Sequence, residues 1–182
     1  MSGSQTGAFQ LAPNHRIVVP FPIVHRVYLA GPDVFLPDAE AAGARLKAVC
    51  LRHGLEGVYP LDAGIRRRER EPAALYARRL SEGAVLLLHG CHGMLANVTP
   101  FRGPSADVGT VWDMAYAHAC RKPIVAYSDD AREYKERVVP DGLLVEDYGL
   151  GDSPKLVFSV LGTVRSIEAA AAKLAAHLSG GP

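Results

Sequence analysis

The chain has 182 residues, 48% of them hydrophobic and 21% charged, and a formal net charge of +1. That length suffices for one domain with a full core, and the near-neutral charge with no basic block argues against a dedicated nucleic-acid binder. Cys50, Cys91 and Cys120 have no CxxC spacing and read as free thiols of a reducing compartment; no apolar run is long enough to span a bilayer, and residues 1–24 lack a signal-peptide pattern, so a cytoplasmic protein with no membrane partner is expected.

Met1 to Asn14 is rich in Gly, Ser, Gln and Ala and reads as a tail. Ile17 to Val24 is apolar but broken by Pro20 and Pro22, as an extra edge segment or an arm toward a neighbouring subunit would be. Residues 1–24 are therefore set apart from one α/β domain over residues 25–182. Arg26 to Ala30 is the first predicted strand, stopped by Gly31-Pro32. Asp38 is placed to cap a helix over Ala39 to His53, whose apolar residues recur at helical spacing, with Gly54 ending it. A second strand is expected over Gly57 to Leu61. Gly64 to Glu71 is highly charged and reads as a solvated loop or helix start. Pro72 then opens a helix at its first position, running to about His89.

Met94 to Val98 is a short apolar run of buried-strand type. A loop with Pro100, Arg102, Gly103 and Pro104 follows. Ser105 or Asp107 caps the next helix, whose 3.6 period runs from Val108 to Ala119 within an expected span of Ala106 to Cys120. Pro123 to Tyr127 is the fourth strand, and Ala131 to Arg137 a short polar helix or loop. Gly149 to Thr163 carries no clear pattern. Ser166 caps a last, Ala-rich amphipathic helix to Leu178. Strands alternate with helices throughout, which predicts a single-domain parallel sheet with helices on both faces, flavodoxin-like or Rossmann-like. In such sheets ligands bind where a strand ends and a helix begins, which points to the stretch from Met94 to Tyr116. Two acids lie there, Asp107 at the helix mouth and Asp113 further in, where Asp is a poor helix former and needs a reason to be present.

That stretch reads Ala96-Asn97-Val98-Thr99-Pro100-Phe101-Arg102-Gly103-Pro104-Ser105-Ala106-Asp107-Val108-Gly109-Thr110-Val111-Trp112-Asp113. A second string, Tyr28-Leu29-Ala30-Gly31-Pro32-Asp33-Val34-Phe35, ends the first strand. Both resemble the nucleoside 2-deoxyribosyltransferases, whose patterns are close to ANVTPFRGPSAD-x-GT-x-x-E and Y-x-A-G-P. The resemblance covers about residues 25 to 150. It implies exchange of the base of a 2'-deoxynucleoside through a covalent sugar–carboxylate intermediate, with nucleosides and nucleobases as partners, no metal or organic cofactor, and a homo-oligomer.

Cleaving the bond between an anomeric carbon and a base nitrogen passes through an oxocarbenium-like state, which a carboxylate beneath the sugar can stabilise and then capture. By the resemblance Asp113, at the position of the family's Glu, is the nucleophile and Tyr28 orients it and keeps it ionised. Asp107 is implied to bind the sugar 5'-hydroxyl; a carboxylate accepts from a hydroxyl but repels a phosphate, which favours nucleosides over nucleotides. Gly109 gives the sugar room to approach, Gly31 and Pro32 shape the wall beneath the base, and Phe101 and Arg102 lie near it. Trp112 reads either as core or as a ligand contact. Ser153 stands where the family has an Asn reaching into the neighbouring subunit's site.

The chain also departs from the pattern. Asp113 is one methylene shorter than Glu, a retreat of roughly 1.5 Å, and a misplacement of that order can cost ~10²-fold in rate. Ala84 takes the place of a base-contacting Asn or Asp, and His92 that of an Asp. A histidine titrates near neutrality and could act as an acid; at a strand edge it also reads as structural. Two alternatives follow: an N-glycoside hydrolase with water as acceptor, and a nucleoside-binding relative with impaired catalysis.

Overall fold

The computed structural model describes residues 24–180. Its strands are His25–Ala30 (β1), Leu55–Val58 (β2), Gly93–Asn97 (β3), Ile124–Tyr127 (β4) and Thr163–Val164 (β5). They form one sheet in the order β2-β1-β3-β4-β5, and every pairing is parallel. Successive side chains of a strand point to opposite faces. Val27, Leu29, Leu55, Leu95 and Val125 therefore pack on one side. There they meet Val49 and Cys50 of Ala39–Arg52 (α1) and Ala170, Ala171 and Leu174 of Ile167–Leu178 (α6). Tyr28, Ala30, Met94, Ala96 and Ile124 face the other way, against Leu88 of Ala73–His89 (α2) and Met114 and Ala117 of Val108–Ala119 (α3). Both faces are covered, so the buried strand residues are apolar on either side of the sheet, as in other parallel sheets.

Several expected boundaries move, each for a local reason. The second strand lies at Leu55–Val58, not 57–61. Pro60 has no N–H for the ladder and opens a 3-10 turn, and the Tyr59 N–H donates to the Asp62 carboxylate at 2.9 Å instead. Asp38 sits at the cap position of α1, but its carboxylate accepts from Arg45 at 3.0 Å and caps nothing. Gly54 does end α1, in the left-handed region at φ 72°. The stretch 64–71 is a loop, but not wholly solvated: Glu71 is buried, accepts from Arg79 at 2.7 and 2.9 Å, and takes the Arg68 N–H at 3.0 Å. The region without sequence pattern contains the four-residue helix Pro154–Val157 (α5) and the edge strand β5; Tyr134–Arg137 (α4) precedes it. Ser166 caps α6, accepting from the Ala169 N–H at 3.2 Å. The tail or arm expected before residue 24 lies outside the described residues.

Cys50, Cys91 and Cys120 are free thiols; burial pushes Cys50 and Cys91 up to about 11. Among the described residues no helix is long and apolar enough to cross a membrane, and no group of three or more His, Cys, Asp or Glu is arranged to hold a metal.

The strand order places the topological switch between β1 and β3. From there the chain leaves to opposite sides, opening a crevice at the carboxyl ends of the strands. The segments that edge it are the ones after β1 and after β3, which carry the two motif strings.

Candidate active site

The mouth of α3 is built by Asp107. Its Oδ2 accepts from the Thr110 N–H at 3.0 Å and the Thr110 hydroxyl at 3.2 Å, which makes it the N-cap. Ser105 does not cap the helix; its hydroxyl is turned to Asp152. The cap starts the helix at Val108, where the helical period begins, and the wider span from Ala106 to Cys120 shortens to Val108–Ala119. Gly109 leaves room for the folded-back carboxylate, since a Cβ there would lie 3.1 Å from Asp107 Oδ2.

Thr110 and Asp113 are three residues apart and so share a side of α3. The carboxylate of Asp107 thus reaches along the helix toward Asp113, and Tyr28, fully buried in β1, supplies the group opposite. Burial raises the Asp113 carboxyl to about 6; the Tyr28 hydroxyl opposes this and the Asp107 charge adds to it. Tyr28 is itself driven far up, by burial first and then by the Asp113 carboxylate, so the phenol stays protonated. The two groups influence each other as a hydrogen-bonded pair would. Yet the Tyr28 oxygen is sealed from solvent and meets no acceptor at ordinary hydrogen-bond geometry. We read this as adjacency rather than a formed bond: a buried phenol donor has strong reason to find a partner, and Asp113 is the acceptor beside it.

The crevice walls are tied across the switch point. Asn97, ending β3, donates from Nδ2 to Asp33 Oδ2 at 3.0 Å and accepts the Thr99 N–H at 3.1 Å. Gly31 packs against this bridge so closely that a Cβ would meet Asp33 Oδ2 at 2.6 Å and the Asn97 Cβ at 2.7 Å. Pro32 then opens the 3-10 turn Pro32–Phe35. Phe35 stacks on Phe101 with ring centroids 5.3 Å apart and planes 9° from parallel. Arg102, at φ 54°, lays its guanidinium 4.7 Å from the Phe101 centroid and 5.3 Å from that of Phe35. The result is a cation–aromatic platform at the rim, with Phe35 54% exposed. Sequence reasoning did not single out Phe35; a large aromatic closing a strand-end motif was the available signal.

Other expected positions lie apart. His92 precedes β3, at the opposite end of the sheet from Asn97, where its Nδ1 accepts the Arg26 N–H at 3.0 Å. It is a structural histidine and no acid of this crevice. Ala84 is half-buried on α2. Ser153 is the residue before α5, and its N–H donates to Asp152 at 2.7 Å. Trp112 is not core: it is 53% exposed and stacks on Tyr116. A cavity of about 220 Å³ opens beside the site, lined among others by Val98, Met114, Asp152 and Leu156; Tyr28, Asp107 and Asp113 do not line it.

The model of the family described as nucleoside 2-deoxyribosyltransferase matches residues 27–154. Among curated proteins, an uncharacterized protein of Schizosaccharomyces pombe is 35% identical over 113 residues, 62% of this chain and 54% of that protein. The chain thus spans about half the length of that relative. Among solved structures, a 2-desoxiribosyltransferase from Leishmania mexicana superposes with a TM-score of 0.67 at 28% identity, covering 84% of this chain and 98% of the other. A 2-deoxyribosyltransferase from Bacillus psychrosaccharolyticus (TM-score 0.54, 13% identity, 79% and 88% covered) and a conserved protein from Enterococcus faecalis (0.59, 18%, 83% and 97%) share the fold.

Proposed function

The chain belongs to the nucleoside 2-deoxyribosyltransferase family, and on that footing we propose that it exchanges the base of 2'-deoxynucleosides through an ester on Asp113. An Asp113 oxygen attacks the anomeric carbon from below the sugar. The electron pair of the carbon–nitrogen bond leaves with the base, which takes up a proton. A nitrogen of a second base then attacks the same carbon, the ester bond breaks, the carboxylate is regenerated and the incoming base loses its proton. No cofactor enters this scheme.

The observation that carries the reading is the pairing of Asp113 with Tyr28. An acid raised to about 6 by burial is ionised at neutral pH yet poorly solvated, the condition of a usable nucleophile. A protonated phenol beside it is placed to donate to the carboxylate once the side chains close up on a substrate, and would then fix its direction. Asp107 is assigned to the sugar 5'-hydroxyl, with lone pairs left after Thr110 is served. Phe35, Phe101 and Arg102 offer a planar face to the base. Gly31 and Pro32 form the wall between, and Gly109 admits the sugar. A homo-oligomer is expected, with Ser153 near a neighbouring site; the exposed Leu143, Leu144 and Tyr148 on the segment before it support association.

Incubation with a 2'-deoxynucleoside and a different free base tests this. A new nucleoside supports the proposal. Free deoxyribose instead indicates a hydrolase, the reading favoured by the apolar Ala84 where a base contact would be. Binding without turnover indicates a relative that has lost the chemistry.

A further inference from the structure

We propose that Asp152 is a positioning residue that sets the mouth of α3, and through it Asp107, for a sugar bearing a 5'-hydroxyl. The inference rests on the reading of Asp107 given above. Asp152 is buried and accepts four contacts: the Ser105 hydroxyl at 2.7 Å on Oδ1 and 2.8 Å on Oδ2, the Ala106 N–H at 3.2 Å, and the Ser153 N–H at 2.7 Å. Ser105 and Ala106 immediately precede Asp107. Ser153 opens α5 at the end of the long irregular segment. One carboxylate therefore ties that segment to the backbone from which Asp107 projects.

Its charge is offset from the other side. The Arg137 side chain is only 5% exposed, lies 4.0 Å from Asp152 and donates to the Gly151 carbonyl. A carboxylate this far from water is tolerable only when hydrogen-bonded and paired, and Asp152 is both. Such a network holds its members to one geometry. A carboxylate that must meet a particular hydroxyl needs that, because a hydrogen bond weakens steeply once its distance or angle is lost, and the binding it supplies goes with it.

The test is Ser105→Ala, which removes one donor and leaves the Asp152–Arg137 pair and both backbone contacts. Transfer kinetics are measured with a 2'-deoxynucleoside and with its 2',5'-dideoxy analogue. KM for the first is expected to rise about tenfold with kcat nearly unchanged, the signature of lost binding. KM for the analogue, which has no 5'-hydroxyl, should stay as in the wild type, and Ser105→Thr should restore the first value. Equal rises for both substrates, or no rise for either, overturn the proposal. Asp152→Asn should show the same substrate discrimination more strongly, provided its thermal melt matches the wild type. A wild type that neither turns over nor binds either nucleoside overturns the family-based reading itself, and that result is distinct from an active enzyme indifferent to Ser105.

Discussion

Asp107 caps the helix that carries Asp113, and the charge of the first raises the pKa of the second. The cap carboxylate is folded onto Thr110 and so lies on the side of α3 that Asp113 occupies. One acid thereby starts the helix and tunes the other.

A pH profile reads this coupling. If Asp113 must be ionised to attack, kcat/KM should fall below about pH 6 as the carboxylate takes up a proton. Asp107→Asn removes a charge that raises the pKa and should move that limb to lower pH. Tyr28→Phe removes a donor that lowers it and should move the limb up. Shifts in the same direction would contradict the arrangement.

Stability should respond as well. The folded pKa of Asp113 lies above its ordinary 3.8, so the native state holds the proton more tightly than the unfolded chain. Stability is therefore expected to fall as pH rises from about 4 through 6. Asp113→Asn should be the more stable protein at neutral pH, by on the order of 2 kcal/mol, with the difference vanishing toward pH 4. Urea melts at a series of pH values measure it.

Asp113→Ala should abolish transfer and any trapped sugar–protein adduct; full activity would discard the ester. Asp113→Glu discriminates the two consequences of the shorter arm. Because Tyr28 already lies beside the short acid, the pocket is expected to be spaced around Asp. The longer side chain should then lower kcat, by up to ~10²-fold. A rise in kcat would mean that the missing methylene limits the enzyme.

Gly31→Ala should destabilise the fold by about 1–3 kcal/mol, because a Cβ at 2.6–2.7 Å from Asp33 and Asn97 forces one of them to shift. The thermal melt is the readout. The backbone there is extended (φ 165°), so the penalty is one of space, not of conformation.

What the sequence made legible is what short-range rules govern. Asp107 and Ser166 announced their helices because a cap bonds to a backbone N–H three residues on. Gly54 announced an end because it turns left-handed. Alternating apolar strands and amphipathic helices were enough for a parallel sheet covered on both faces. The rest depends on partners distant in the chain. Nothing local distinguishes Asp152 in its Gly-Asp-Ser setting from a surface loop acid, because its burial is decided by Ser105 and Arg137. Glu71 sits in a run of charges that reads as solvated until Arg79 meets it. Trp112 reads as core from its type, yet its neighbours at helical spacing turn outward. The second strand stops at Val58 because Pro60 has no N–H for the ladder, although its apolar neighbours suggest a strand running through it.

The sheet ends on one side in β5, two residues long, and on the other in β2, four residues long with Glu56 exposed on it. Margins this brief, the β2 one also bearing a charge, offer few free main-chain donors to an incoming ribbon. A partner that docked by adding a strand would gain little main-chain bonding from either margin.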